Sequence, residues 1–60
     1  MIYVDMAASE LGFELLYSNS GAYFVLVDYQ RRIVRLFDDN ERSLNDAINW
    51  MYEEREGKNE

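Results

Sequence analysis

Three apolar segments follow one another with very short polar connections, and this spacing restricts the fold more than any other feature of the chain. The segments cover residues 13–18, 22–28 and 33–37, so only three and then four residues separate them. They are rich in the aromatic and branched residues that favour strands. Parallel strands would need crossovers of a dozen or more residues, so an antiparallel meander is predicted.

A short helix is predicted before the first strand, over residues 3–11. Val4, Ala7, Ala8 and Leu11 recur at the spacing of one helical face. Gly12 follows, and glycine adopts the left-handed conformation that ends many helices. A helix this short persists only when it packs against the rest of the molecule.

A second, longer helix is predicted to begin at Ser43 and to end near Gly57. Ser43 and Asp46 have the spacing of a capping box, in which the serine side chain caps the helix start. An apolar stripe runs through the segment and consists of Leu44, Ala47, Ile48, Met51 and Tyr52. Met51 is assigned to the core, whereas Trp50 lies off the centre of the stripe and its role is left open.

Together these elements predict an α+β fold in two layers, a three-stranded antiparallel meander with flanking helices in the order α-β-β-β-α. Both helices are expected to cover the same face of the sheet. Residues 1–56 are predicted to form a single small domain, and residues 57–60 a frayed polar tail.

The strand register follows from the lengths of the two connections. A three-residue loop at 19–21 and a turn that pairs Asp28 with Ile33 would place one set of side chains on the covered face. That predicted core set is Phe13, Leu15, Tyr17, Tyr23, Val25, Val27, Val34 and Leu36.

The opposite face is then also apolar, although a solvated face should alternate to polar residues. Its predicted patch consists of Leu16, Phe24, Leu26, Ile33 and Phe37. An apolar patch with a charged rim is typical of an interaction surface, so these residues are predicted to bind a partner or a second copy.

An alternative register remains open at this point. If the second turn instead pairs Asp28 with Arg32, Val34 and Leu36 change faces. The core would then contain Phe24, Leu26, Val34 and Leu36, and the exposed side would carry Phe13, Tyr17, Tyr23 and Phe37. In either register one face is too apolar to lie in water.

The chain has no cysteine and no histidine among its 60 residues, so disulfides and thiolate or imidazole metal sites are excluded. A core this small is marginal without such aids, unless oligomerisation, docking or an unusually apolar composition compensates. The N-terminal residues do not resemble a signal peptide, and no apolar run approaches the ~20 residues of a membrane span. The expected location is cytoplasmic, without a membrane.

The net charge is −6, which argues against binding to nucleic acid because phosphates repel it. The acidity either keeps the protein soluble or meets a basic protein surface. The possible acidic contact residues are Asp38, Asp39, Glu41, Glu53, Glu54 and Glu56. Arg31, Arg32 and Arg35 cluster around the second turn, where they either limit edge pairing or offer a weak site for an acidic partner.

No set of residues in the sequence resembles a catalytic, cofactor or metal site. The serines have no base near them in a known motif, and the glycines form no phosphate-binding loop. The acidic run at residues 38–41 lacks the alternating ligands and central glycine of a calcium loop. No catalytic, cofactor-binding or metal-binding residue is therefore predicted, no cofactor is expected, and the protein is predicted not to be an enzyme.

The sequence favours a small acidic protein-binding or regulatory module that acts as a homodimer or docks on a larger protein. The alternative function is an acidic inhibitor of a nucleic-acid-acting protein, of the type found in mobile elements or phages. That inhibitor would present carboxylates where phosphates belong.

Overall fold

A computed structural model describes residues 2–57 of the chain, and within them a helix precedes three strands and a second helix follows. The elements are α1 at Ile2–Leu11, β1 at Glu14–Tyr17, β2 at Tyr23–Asp28, β3 at Ile33–Asp38 and α2 at Glu41–Glu56. The strands pair antiparallel in the order β1-β2-β3. The predicted α+β meander with the order α-β-β-β-α is confirmed. Residues 58–60 of the predicted tail lie outside the described residues.

Helix α1 ends where the sequence predicted, at a glycine with left-handed geometry. Gly12 has φ 83°, and the N–H of Phe13 donates to the Ala8 carbonyl at 2.8 Å. This bond satisfies one of the carbonyls that every helix end leaves without a helical partner. The chain then turns directly into β1.

Helix α2 begins two residues earlier than predicted, and Asn40 rather than Ser43 caps it. Asn40 has extended backbone angles, and its Oδ1 accepts a 2.9 Å hydrogen bond from the N–H of Ser43. Ser43 therefore lies within the first turn, where its backbone is capped by the asparagine. The helix ends at Gly57, which has φ 66°.

The first hairpin connection is one residue longer than predicted, and this changes the face on which β1 side chains lie. Tyr17 pairs with Phe24, which leaves residues 18–23 to close the hairpin. The N–H of Ser18 donates to the Tyr23 carbonyl at 3.1 Å, and the Ser18 hydroxyl accepts from the N–H of Tyr23 at 3.3 Å. The loop thus covers residues 19–22 and not 19–21.

The second hairpin has the first of the two predicted registers, because Asp28 pairs with Ile33. The Asp28 carboxylate accepts hydrogen bonds from the N–H groups of Gln30 and Arg31 at 3.1 and 3.3 Å. This side-chain turn holds the connection at four residues, with Arg32 at φ 59° as its left-handed member. The alternative pairing of Asp28 with Arg32 was wrong.

Both helices cover one face of the sheet, as predicted, but the covered face of β2 and β3 is the other one. The side chains beneath the helices include Phe24, Leu26 and Phe37, all buried. The core cluster comprises Val4, Ala7, Ala8, Phe13, Phe24, Leu26, Phe37, Ala47 and Met51. Three of these are alanines, whose short side chains let the two helices approach each other closely.

The predicted core set was therefore wrong for most of its members. Phe13 is in the core and Leu15 packs against it, but the side chains of β2 and β3 in that set point away from the helices. Tyr17 lies on the helix side and is exposed, and its hydroxyl donates to Asp5 Oδ1 at 3.4 Å. The cause is the longer first loop, because one residue of shift reverses a strand's faces relative to its neighbour.

Trp50, whose role the sequence left open, packs at the edge of the core. Its ring lies 5.4 Å from the ring of Phe13 and 5.8 Å from that of Phe37, measured between centroids. The guanidinium of Arg35 lies over both Phe37 and Trp50, at 5.1 and 5.8 Å. The aromatic residues thus extend the core sideways to the β3 edge, and a cation covers them.

Candidate functional site: the open face of the sheet

The face of the sheet that points away from the helices carries a continuous apolar surface. Leu16, Val25 and Leu36 lie side by side across the three strands, because they occupy one row of the register. Val27 and Val34 are paired in the neighbouring row. We call the open face the surface formed by Leu16, Tyr23, Val25, Val27, Val34 and Leu36.

Exposure on the open face is highest on the two outer strands. Val34 is 65% exposed, Leu36 56% and Leu16 43%. On the central strand Tyr23 is 39% exposed, whereas the side chains on either side shield Val25 and Val27. The outer strands therefore present large apolar side chains to solvent on this face, whereas the valines of the central strand lie beneath them.

Two acidic residues flank this apolar surface at diagonally opposite corners. Glu14 begins β1 and pairs with Val27, whereas Asp38 ends β3 and pairs with Tyr23. Both are exposed. Arg35, the basic residue within β3, points to the helix side. On the described strands, the charges at the rim of the open face are thus negative.

The predicted partner patch is only partly on this surface, and its membership was wrong. Leu16 lies on the open face and is exposed. Ile33 lies on the helix side and is half-buried. Phe24, Leu26 and Phe37 belong to the core beneath the helices, so they cannot contact a partner. Tyr23, Val34 and Leu36 take their place, for the same reason of register that reversed the predicted core.

The predicted acidic contact residues form two groups rather than one surface. Asp38, Asp39 and Glu41 surround the start of α2, whereas the second group lies in the last turn of α2 and consists of Glu53, Glu54 and Glu56. Most are exposed, and Glu54 is half-buried. A 16-residue helix separates the groups by about 22 Å. The structure does not bring them together.

A partly buried ion pair joins Asp28 at the end of β2 to Arg55 in the last turn of α2. Arg55 Nη1 lies 2.8 Å from Asp28 Oδ2, and Arg55 Nε donates to the Leu11 carbonyl at 2.6 Å. The Arg55 guanidinium also lies 4.0 Å from the centre of the Phe13 ring. One side chain thus connects both helices, the residue that precedes the first strand and the end of the central strand. The sequence did not predict this contact, whose two members are 27 residues apart.

The carboxylate of Asp28 is held in its charged form. Burial raises its pKa, but the hydrogen bond from Arg55, the two backbone N–H groups of the turn and the Arg55 charge outweigh this effect. The pKa therefore lies below the ordinary value for aspartate. A general acid or base near neutral pH needs the opposite tuning, so this pair suits a structural role.

An opening of about 510 Å³ lies beside the ion pair, lined in part by Gly12, Tyr29 and Arg31. Its two arginines already have partners: Arg55 binds Asp28, and Arg31 Nη1 donates to the Glu54 carbonyl at 3.2 Å. Of the three arginines that cluster in the sequence, Arg31 and Arg35 thus make different contacts, since Arg35 lies over the rings of Phe37 and Trp50.

Among residues 2–57, no group of three or more acidic, histidine or cysteine side chains is placed to hold a metal ion. Neither described helix has the length and apolar character to cross a membrane. Comparison of the chain with models of protein families, with curated proteins and with solved structures finds no match.

Proposed function

We propose that the protein is a non-enzymatic binding module that docks its open face on a larger protein. The observation that carries this proposal is the apolar row of Leu16, Val25 and Leu36, in which both leucines are exposed, whereas the two helices cover the opposite face of the sheet. Exposed apolar surface of this kind is favourable to bury, and the burial drives association.

The area of the open face favours a partner larger than a second copy. Three strands of up to six residues cover about 300 Å², from the usual strand spacing and rise. Two such faces packed together would bury about 600 Å², whereas stable interfaces bury at least about 1,200 Å². A larger protein can reach beyond the face to the strand edges and the hairpin loops. The homodimer that the sequence suggested stays a prediction.

The charge at the rim supports a partner with basic residues around an apolar centre. Glu14 and Asp38 would meet cations there, whereas a second copy would bring a further net charge of −6 toward the same surface. Complementary charge at an interface rim accelerates encounter and disfavours wrong partners.

The alternative function, an acidic inhibitor that imitates nucleic acid, has less support. Such a surface needs carboxylates in a continuous array, and the two acidic groups lie at opposite ends of α2. Binding that weakens steeply with salt would favour the inhibitor over the apolar contact proposed here.

The test is capture of partners from the source cells with three matched baits: the wild type, Leu36→Glu and Tyr29→Glu. Leu36 and Tyr29 are both exposed apolar residues, but Tyr29 lies in the turn after β2 and off the open face. The proposal expects a protein that the wild type and Tyr29→Glu capture and Leu36→Glu loses. Capture of the same proteins by all three baits would refute it.

The native mass of the same three proteins distinguishes the two kinds of occupant. A wild type that remains monomeric at micromolar concentration agrees with a larger partner. A wild-type dimer that Leu36→Glu converts to monomers would instead identify a second copy as the occupant. Circular dichroism of each variant verifies that the fold is intact.

A further inference from the structure

A second apolar surface lies in the helix layer, on the side of the molecule away from the open face. It is a groove of about 310 Å³ between α1 and α2, lined by Tyr3, Met6, Ala7, Glu10, Ile48 and Tyr52. Tyr3 is 75% exposed, Met6 61% and Tyr52 42%. Ala7 is buried, and its short side chain leaves space between these larger ones.

The composition of the groove is that of a binding surface rather than of scattered exposed residues. Tyrosine and methionine are enriched at the centres of protein interfaces, where they combine apolar area with an adaptable shape. On α1 the lining residues recur three and four positions apart, so they form one stripe along the helix. A helix of ten residues is about 15 Å long, which matches roughly three turns of a partner helix.

The charge of the groove is negative at one end. The contact between Arg55 and the Leu11 carbonyl shows that α1 and α2 end on the same side of the molecule, so the two helices run parallel. Their C-terminal carbonyls therefore lie together, and guanidinium groups already bind one carbonyl of each helix, Leu11 through Arg55 and Glu54 through Arg31, so the negative charge of the groove comes from carboxylates. Glu10 lines the groove near this end, and Glu56 lies one turn beyond Tyr52 on α2. The Arg55 charge is engaged by Asp28.

We propose that this groove binds an amphipathic helix of another protein, with large apolar residues toward Tyr3, Met6 and Tyr52 and basic residues toward Glu10. Helices bind grooves in this way through apolar residues at every third or fourth position. A second copy would place Glu10 of each chain in a negative environment, so like charge disfavours self-association through this surface. The proposal does not depend on the proposed function of the open face.

The experiment uses a synthetic amphipathic helix of leucine and lysine as the probe, with a second peptide in which glutamate replaces every lysine. Binding of the labelled peptides to the full chain is measured by fluorescence anisotropy. Backbone amide chemical shifts of the protein then locate the bound peptide. The lysine peptide is expected to bind and to perturb α1 and α2, whereas the glutamate peptide is expected not to bind.

Three substitutions separate the groove from other surfaces. Met6→Ala is expected to weaken binding of the lysine peptide by at least about tenfold, because it removes one anchoring side chain without a change of charge. Tyr3→Ala serves as a second variant, because Tyr3 is largely exposed and its truncation leaves the core intact. Leu36→Glu, which alters only the open face, is expected to leave peptide binding unchanged.

A final pair of variants distinguishes the local charge of the groove from the net charge of the protein. Glu10→Lys and Asp39→Lys change the net charge equally, but Asp39 lies before α2 and outside the groove. Glu10→Lys is expected to weaken binding more than Asp39→Lys. Equal effects, equal binding of both peptides, unchanged affinity of Met6→Ala and Tyr3→Ala, or shifts confined to the strands would each overturn the proposal.

Discussion

Arg55 and Asp28 form an ion pair of 2.8 Å between the last turn of α2 and the end of β2. The aspartate is buried, whereas the arginine is partly exposed, and each has further hydrogen bonds to backbone groups of other elements. The pair therefore connects segments that share no strand pairing. Loss of the arginine is therefore expected to destabilise the fold more than loss of the aspartate charge.

Arg55→Ala is expected to destabilise the protein more than Asp28→Asn. Removal of the arginine leaves a buried carboxylate without its cation, and a Tm lower by roughly 10 °C is expected for a domain of this size. In Asp28→Asn the guanidinium keeps its bond to the Leu11 carbonyl and remains accessible to water. Thermal denaturation measures both, with Arg42→Ala on the same helix as control. Equal losses would contradict this asymmetry.

The same pair predicts how stability depends on pH. The folded state lowers the pKa of Asp28, so the pair stabilises the protein at every pH above the ordinary aspartate value of about 4. That contribution is lost as the pH falls from there through the lowered pKa. Urea denaturation between neutral and strongly acidic pH measures this loss. In Asp28→Asn this part of the profile should be flatter, and an unchanged acid slope would contradict the assignment.

Substitution of Gly12 or of Gly21 by alanine should lower the free energy of unfolding by a similar amount. Both have positive φ, 83° and 77°. A Cβ on Gly12 would lie 3.7 Å from Arg55 Nη2, an ordinary contact, and a Cβ on Gly21 would meet nothing within 4 Å. Backbone strain is then the common cause, and each alanine should cost about 1–2 kcal/mol. A much larger loss for Gly12→Ala in chemical denaturation would indicate a steric conflict instead.

The cap of α2 predicts that substitutions at Asn40 and Ser43 change the stability of the protein unequally. Asn40→Ala removes the oxygen that accepts from the N–H of Ser43 and should cost about 1 kcal/mol. Ser43→Ala keeps that backbone donor, so its effect should be smaller. Asn40→Asp preserves the acceptor and serves as the control. The urea midpoints of the three variants are compared. A larger loss of stability for Ser43→Ala than for Asn40→Ala would indicate that serine caps the helix.

Two leucines on opposite faces of the sheet provide the sharpest test of the register. Leu26→Ala creates a cavity in the core and should cost about 2–5 kcal/mol. Leu36→Ala removes a side chain that is already exposed, so its cost should stay below about 1 kcal/mol. Both changes are chemically identical, and denaturation of both variants under one condition compares them directly. The opposite order would mean that the helices cover the other face.

The order of elements could be predicted because its signals are local. Apolar runs with short connections require an antiparallel meander. Gly12 marks a helix end by its conformation, and the short second turn allowed two registers, of which the structure has the pairing of Asp28 with Ile33. Each of these features involves residues that are close together in the sequence.

The covered face could not be predicted because β2 is apolar on both sides. Its helix side has Phe24 and Leu26, and its open side has Tyr23, Val25 and Val27. The alternation of apolar and polar residues therefore favours neither face. The choice depends on whether the first loop has three or four residues. The Ser18 hydroxyl, which accepts from the N–H of Tyr23, helps to set that loop length. The sequence allowed such a bond but did not require it.

The contacts of Arg55 could not be predicted because they join distant parts of the chain, 27 and 44 residues apart. One weak signal was present: Asp28 is a single acid at the end of an apolar strand, where a charge needs a partner. The groove between the helices was missed for a similar reason. Tyr3 and Met6 lie off the stripe that predicted α1, and only the position of α2 beside them shows what they form.

The meander pairs each strand with its neighbour in the sequence, whereas the helices meet across almost the full length of the chain. Closing a short hairpin loses less chain entropy than joining distant segments, so the hairpins are expected to form early in folding. The guanidinium contact with the Leu11 carbonyl would then form late, after the folding barrier. Substitutions at Arg55 should accelerate unfolding and leave the refolding rate nearly unchanged.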